Sequence, residues 1–301
     1  MRASPPDELR AGRARPLTPE LLRRWPLPLN PEDDKHDRGT VLVIAGSART
    51  PGAAVLASLG VLRAGAGRVQ IASVTEVAAS LGVAVPEALV QGLPATATGA
   101  IDPVASVAIL EKGIGAADTV LLGPGFDDLE ATVMLLEGLL PLVSPAALVV
   151  LDALAVKAVP PDAIDVLRGR LVFTPNKDEA ASLVESDLSD LSVGDLAAAA
   201  ARHHGAAVTV SAHVAAPDGR RWMAETAVPG LGTSGSGDVR SGLVAGAAAR
   251  CADPAQAACW GTYLHLAAGD RLAQRIGPIG YLARELLDEV PGAMEEAMLA
   301  D

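Results

Sequence analysis

The chain has 301 residues, half of them hydrophobic but only 2% aromatic, and carries a formal net charge of −12. Its length suits one large α/β domain or two small ones. So acidic a surface repels nucleic acid and anionic membranes, and neither is expected as a partner.

Residues 1–38 read as an N-terminal leader, charged and proline-bearing rather than an apolar signal segment, which becomes ordered around PELLRRW. Residues 39–301 read as a single domain, since no shift of composition divides them. VLVIAG (41–46) is a continuous apolar strand of the kind buried on both faces of a parallel sheet. A helix over 51–65 opens on Pro51, and RVQIAS (68–73) is the next strand, completing a βαβ unit. TVLLGPG (119–125) reads as strand then turn, LEATVMLLEGLLPLV as helix, and ALVVLDA (147–153) and RLVFTPN (170–176) as strands. Two helices, KDEAASLV and VGDLAAAAARHHG, precede the strand AAVTVSA (206–212). HVAAPDGRRWMAE reads as a hairpin around Asp218-Gly219. The remainder is helical after a glycine-rich turn. The expected architecture is α/β, three αβα layers around a mostly parallel central sheet. No apolar run approaches the roughly 18 residues of a membrane span, and a cytoplasmic protein is expected. Cys251 and Cys259 have neither zinc-ligand spacing nor the number for a disulfide scaffold.

The chemistry points to one segment, GTSGSGDV (232–239). A glycine-rich turn opening onto a helix presents unpaired N–H groups at the positive end of the helix dipole, a ready anion site. A carboxylate there, Asp238, would repel an anion, so it makes sense as a base that deprotonates a hydroxyl beside a phosphate. The plainer reading is an Asp helix cap. Other polar endings fall at the carboxyl ends of strands, where an open parallel sheet binds ligands. They are Gly46-Ser47, Gly123 and Gly125, Asp152 and Asn176. Singly these could be turns and caps, and Asn176 with Glu179 has the spacing of a capping box. His265 reads as a hydrogen-bonded core residue, and His203 and His204, which close a helix, as a solvated face or an interaction with the helix dipole. No dinucleotide fingerprint, P-loop or supported nucleophile elbow occurs.

The order KHDRGTVLVIAGS, TPGAAVLASLGVLRAGAG, VLLGPG, LVVLDA, FTPNKDE, GTSGSGDVRSG resembles the ADP-dependent (S)-NAD(P)H-hydrate dehydratases, over residues 35–295. The resemblance implies a ribokinase-like fold and a repair reaction. A hydroxyl on the hydrated nicotinamide ring of NADHX or NADPHX would be phosphorylated from ADP (or ATP), and phosphate would leave to restore NADH or NADPH. It implies that Asp238 is the base at the hydrated ring and that Gly237, with Gly235 and Ser236, holds nucleotide phosphates. Ala53, Gly125 and Asn176 would line the hydrated-cofactor site, and Glu179 would orient the loop or a hydrated Mg²⁺. Gly46, Ser47, Gly123 and Asp152 would support the rim. A homo-oligomer, a tetramer, is also implied.

The chain departs from the family pattern in three places. Asn176 stands where much of the family has His, and Asn cannot titrate. Asp152-Ala153-Leu154 has one acid fewer than D-A-D-x-L. A K-G-x-x-T nucleotide clamp is absent, its place taken by Ser211-Ala212-His213. The alternatives are an alcohol kinase of the same fold, acting on a hydroxymethylpyrimidine or thiazole, and a nucleotide-binding paralogue without catalysis.

Overall fold

The computed structural model describes residues 13–29, 34–184, 191–225 and 228–299. Ten strands form one sheet: β1 (Arg15–Pro16), β2 (Thr40–Ile44), β3 (Arg68–Val74), β4 (Leu89–Leu93), β5 (Thr119–Leu122), β6 (Leu148–Leu151), β7 (Leu171–Phe173), β8 (Ala207–Val210), β9 (His213–Ala215) and β10 (Arg221–Met223). Their spatial order is β1-β10-β9-β8-β7-β6-β5-β2-β3-β4. From β4 to β8 every pairing is parallel, while β9 pairs antiparallel with both β8 and β10. The chain builds outward from β2 in one direction through β3 and β4, then returns to β2's other side with β5. The gap between β2 and β5 is therefore the topological switch point, where a crevice opens beyond the strand ends.

Alternation within the apolar strands makes three layers. Val41 and Val43 of β2 face one core and Leu42 and Ile44 the other. The first core is covered by α1 (Pro19–Arg24), α2 (Pro51–Arg63), α3 (Thr75–Ala84), α10 (Ser236–Arg250), α11 (Pro254–Arg275) and α12 (Ala283–Met298). The second is covered by α4 (Pro103–Ala116), α5 (Leu129–Leu139), α6 (Leu154–Ala158), α7 (Pro161–Val166), α8 (Lys177–Ser182) and α9 (Val193–His204). The sequence pattern assigns no element to residues 74–118; α3, β4 and α4 lie there. The hairpin around Gly219 forms as expected between β9 and β10, with Gly219 at φ +93°.

Small residues set where α10 sits. A β-carbon on Gly242 or Gly246 would collide with the carbonyls of Ala57 and Val61 on α2, and one on Gly60 would stand 2.8 Å from the Val239 carbonyl. Glycines inside a helix cost about 0.5–1 kcal/mol each against alanine. Here they let two helices approach until backbone meets backbone, which fixes the start of α10 beside the switch point.

The expected leader is part of this packing where it is described. β1 extends the sheet, and Leu17, Leu22, Trp25 and Leu27 are buried. The Trp25 carbonyl accepts hydrogen bonds from Trp260 Nε1 (2.8 Å) and Gln256 Nε2 (3.0 Å). Its ring lies 5.7 Å from that of Trp222, with the Arg220 guanidinium over both. Residues 13–29 are thus stitched to α11 and β10. Residues 1–12 and 30–33 of the leader lie outside the described residues. No helix among the described residues is long and apolar enough to cross a membrane.

Candidate active site

The expected rim residues converge beyond the ends of β2, β5, β6 and β7. After β2, Gly46 (φ +77°) donates its N–H to the Pro124 carbonyl (2.8 Å). After β5, Gly125 (φ +71°) accepts from Thr50 Oγ1 (2.5 Å). A β-carbon on Gly125 would stand 2.7 Å from Ala53 Cβ and 3.2 Å from Gly46 Cα. Gly46, Ala53 and Gly125 therefore touch across the switch point, and glycine is required at Gly125 by both its φ and its neighbours. Ser47 is buried; its hydroxyl donates to Asp127 (2.9 Å) and lies 2.9 Å from Thr50 Oγ1, binding the two turns together. Gly123 (φ +118°) has no room for a β-carbon against the Asp152 carbonyl.

Helix α10 begins at Ser236, so Asp238 is its third residue and not its cap; the capping position is Gly235, left-handed at φ +85° and without a side-chain cap bond. That disposes of the plain Asp-cap reading. The amides of Gly237 and Asp238 donate to no other described residue, whereas Ser236 N–H donates to the Thr233 carbonyl (3.2 Å). The Ser236 hydroxyl also turns inward, 2.8 Å from Nε2 of buried His265. The amides of Gly235, Gly237 and Asp238 are thus open at this turn, while Ser236 anchors it through both its amide and its hydroxyl. Burial pushes His265 down to about 3, helped by the charge of Arg240, so it is a neutral, hydrogen-bonded core residue as expected.

Asp238 is half-buried. Burial first, and then the charge of Asp152, pushes its carboxyl up to about 7. Asp152 is buried at the end of β6, accepts a hydrogen bond from Thr174 Oγ1 (2.7 Å), and is raised to about 6, mainly by burial. Two carboxylates near each other in low dielectric cannot both ionise easily, so the more accessible one is poised near neutrality.

Asn176 and Glu179 form the capping box of α8. Asn176 Oδ1 accepts from Glu179 N–H (2.8 Å), and a Glu179 carboxylate oxygen accepts from Asn176 N–H (2.9 Å). The amide nitrogen of exposed Asn176 makes no bond to a described residue and is open to a ligand, while Glu179 is committed to the helix start. Asp152 and Glu179 already face a buried cation, Arg240. Among the described residues no group of three or more His, Cys, Asp or Glu gathers as a ligand set. The described residues thus offer no all-protein cage, and a Mg²⁺ ion would be shared with substrate phosphates.

Sequence reasoning missed Arg240, Thr174, Thr50 and Asp127. Arg240 left one signal, a basic residue near the head of a helix whose stretch from Ser241 to Ala249 is made of small and apolar residues. Where the nucleotide clamp is missing, β8 and β9 join by a two-residue turn, Ser211 (φ +51°) and Ala212, with Val210 paired to His213. Neither thiol has a reactive setting, since burial pushes Cys251 up to about 12 and Cys259 well above its ordinary range. His203 and His204 stand in the last turn of α9, as the dipole reading expects, and His204 Nε2 also lies 2.7 Å from the Leu183 carbonyl. Clefts of about 860 and 690 Å³ lie away from this rim, one at the opposite ends of β7 and β8 and the other between β1 and α11.

The NAD(P)H-hydrate dehydratase family model matches residues 41–292. The chain belongs to this family. It is 41% identical, over 94% of its length and 97% of the relative's, to an ADP-dependent (S)-NAD(P)H-hydrate dehydratase of Xanthomonas campestris pv. campestris. It is 36% identical to a bifunctional NAD(P)H-hydrate repair enzyme of Moorella thermoacetica, of which it spans about half (48%). The fold matches that of the Bacillus subtilis ADP/ATP-dependent NAD(P)H-hydrate dehydratase crystallised with ATP and Mg²⁺ (TM-score 0.77, 24% identity, 95% of this chain and 100% of that one). A ribokinase-like superfamily protein of Enterococcus faecalis superposes equally well (TM-score 0.77, 21% identity, 94% and 96%). This dehydratase family member thus has the ribokinase-like fold.

Proposed function

We propose that this chain restores NADH and NADPH from their hydrates by a nucleotide-dependent dehydration. The observation that carries this reading is Asp238, raised to about 7 in the first turn of a helix whose Gly237 and Asp238 amides are open. A base works best when its pKa lies near the operating pH. Asp238 takes the proton from the ring hydroxyl, whose oxygen attacks the terminal phosphoryl group of ADP. The bond to the bridging oxygen breaks and AMP leaves. The open amides of Gly237 and Asp238 meet the negative charge on the transferring group. The ring nitrogen's electron pair then expels phosphate, a better leaving group than hydroxide, and the adjacent carbon releases a proton to complete the double bond.

In this reading Ala53, Gly125 and Asn176 line the hydrated-cofactor side, with Gly46, Ser47, Gly123 and Asp152 holding that wall. Gly235 and Ser236 shape the phosphate turn, and Glu179 holds Asn176. We place Mg²⁺ on the nucleotide's phosphates. A cytoplasmic homo-oligomer, a tetramer, is also expected; exposed Val83 on α3 and Leu89 on edge strand β4 offer apolar surface for assembly. An alcohol kinase would share Asp238 and the phosphate turn, but the family match favours the dehydratase.

The test is the near-ultraviolet absorbance of dihydronicotinamide with hydrated NADH, Mg²⁺ and either ADP or ATP. A nucleotide-dependent rise with stoichiometric phosphate release is the expected result. A flat trace with substrate that a known dehydratase consumes would overturn the reading.

A further inference from the structure

Arg240 sits where elementary rules disfavour a cation. It lies in the second turn of α10, near the positive end of the helix dipole, and is only 8% exposed. A buried charge is costly unless it is well partnered, and an apolar side chain of similar volume would fill the space without that cost. What an apolar residue could not do is donate. Arg240 Nη2 donates to two successive carbonyls at the end of β7, Thr174 (2.7 Å) and Pro175 (3.0 Å). Its charge faces Asp152 and Glu179, and its buried Nε has no acceptor among the described residues.

These bonds join the two halves of the site. Asp238 stands two residues before Arg240 on the same helix, and Asn176 follows Pro175 directly. Thr174 also holds Asp152 through its hydroxyl. The capping box fixes Asn176 to α8, and among the described residues it is the guanidinium whose hydrogen bonds tie this turn to α10. We propose that Arg240 is a positioning residue, which locks the Thr174–Asn176 turn to the helix carrying Asp238 and so sets the spacing between base and hydrated cofactor. The inference rests on the dehydratase reading for its kinetic consequence, though not for its structural one.

The experiment compares Arg240→Met and Arg240→Lys with the unmodified chain, by amide hydrogen exchange and by steady-state kinetics. In Arg240→Met the amides of Asn176 and Glu179 should exchange about tenfold faster, the scale of one lost charge-assisted hydrogen bond, while those of β2 stay protected. KM for the hydrated cofactor should rise about tenfold with the nucleotide KM little changed, and added guanidinium ion should restore it. Arg240→Lys, which keeps the charge but lacks the planar fork, should fall between, and stands as the test should Arg240→Met not fold. Unchanged exchange and KM in a folded Met variant would overturn the proposal, as would faster exchange spread equally to β2. Failure of the unmodified chain to turn over hydrated cofactor would sink the dehydratase reading alone, since the exchange measurement judges the lock independently.

Discussion

On the β2–β5 side of the rim, two turns interlock through Gly46, Ser47, Thr50, Ala53 and Gly125, each fitted to the next by hydrogen bonds or by the absence of a β-carbon. On the β8–β9 side the chain reverses in two residues, Ser211 and Ala212, and no loop extends over the rim there. One side is thus shaped by backbone packed against backbone, while the other is a two-residue connection between antiparallel strands. If the first side holds the hydrated cofactor and the second faces the nucleotide, recognition of the two substrates is uneven. Substitutions near the switch point and α10 should then move turnover and hydrated-cofactor KM. Nucleotide affinity should rest on the amides at the start of α10.

The largest effect is expected at Asp238. Asp238→Asn should lower turnover by ~10²–10⁴, the usual worth of a general base, while leaving nucleotide-induced thermal stabilisation in place. Because the carboxyl is raised to about 7 in the folded chain, it also carries a stability cost. The folded state binds more protons than the unfolded one between about pH 4 and 7, so stability falls as pH rises through that window. Asp238→Asn removes the Asp238 share of this dependence, leaving that of Asp152, and should melt higher than the unmodified chain at pH 8, by about 2–4 °C for each kcal/mol regained. A variant that is inactive but no more stable at that pH would contradict the burial argument.

Gly123→Ala comes next. Its φ of +118° and the Asp152 carbonyl against its missing β-carbon make two independent penalties, and strain of this kind costs of order 1–3 kcal/mol. Chemical denaturation should show at least that loss, and displacement of Asp152 should weaken activity further. A neutral result would mean the switch-point turns tolerate movement, erasing the contrast between the two sides.

The pH profile tests the same contrast without a substitution. As a base, Asp238 works ionised, so kcat/KM should fall with decreasing pH below about 7. Asp152, raised to about 6, titrates beside it, and the two protons belong to the pair as a whole. Asp238→Asn should abolish the limb near 7 in whatever activity remains.

Much of this was readable in the chain because buried parallel strands announce themselves as apolar runs and their polar ends mark the rim. VLVIAG, VLLGPG, LVVLDA and FTPN each gave both a strand and a site edge. Leu89–Leu93 gave neither, since an edge strand exposed on one side and containing Gln91-Gly92 lacks that run. β1 has two residues and no period to detect, and Trp25 is anchored by α11, more than two hundred residues away. The inward turn of Ser236 and the reach of Arg240 to the end of β7 depend on how α10 is docked. Local spacing cannot encode that, because the docking is decided by Gly242 and Gly246 meeting carbonyls of α2.

The smallest expected effect separates the two duties of Asn176. Its oxygen caps α8 while its amide nitrogen makes no bond to a described residue. Asn176→Ala loses both and should cost about 0.5–2 kcal/mol of stability, the usual worth of a helix cap, together with a few-fold rise in hydrated-cofactor KM. Asn176→Ser keeps a capping oxygen but gives up the amide donor, so it should recover the stability and leave the KM raised. Thermal melts and steady-state kinetics on the pair decide the matter. If Ser restores both quantities, Asn176 serves only the helix, and hydrated-cofactor recognition falls to the switch-point turns alone, which would make the two sides of the rim still more unequal.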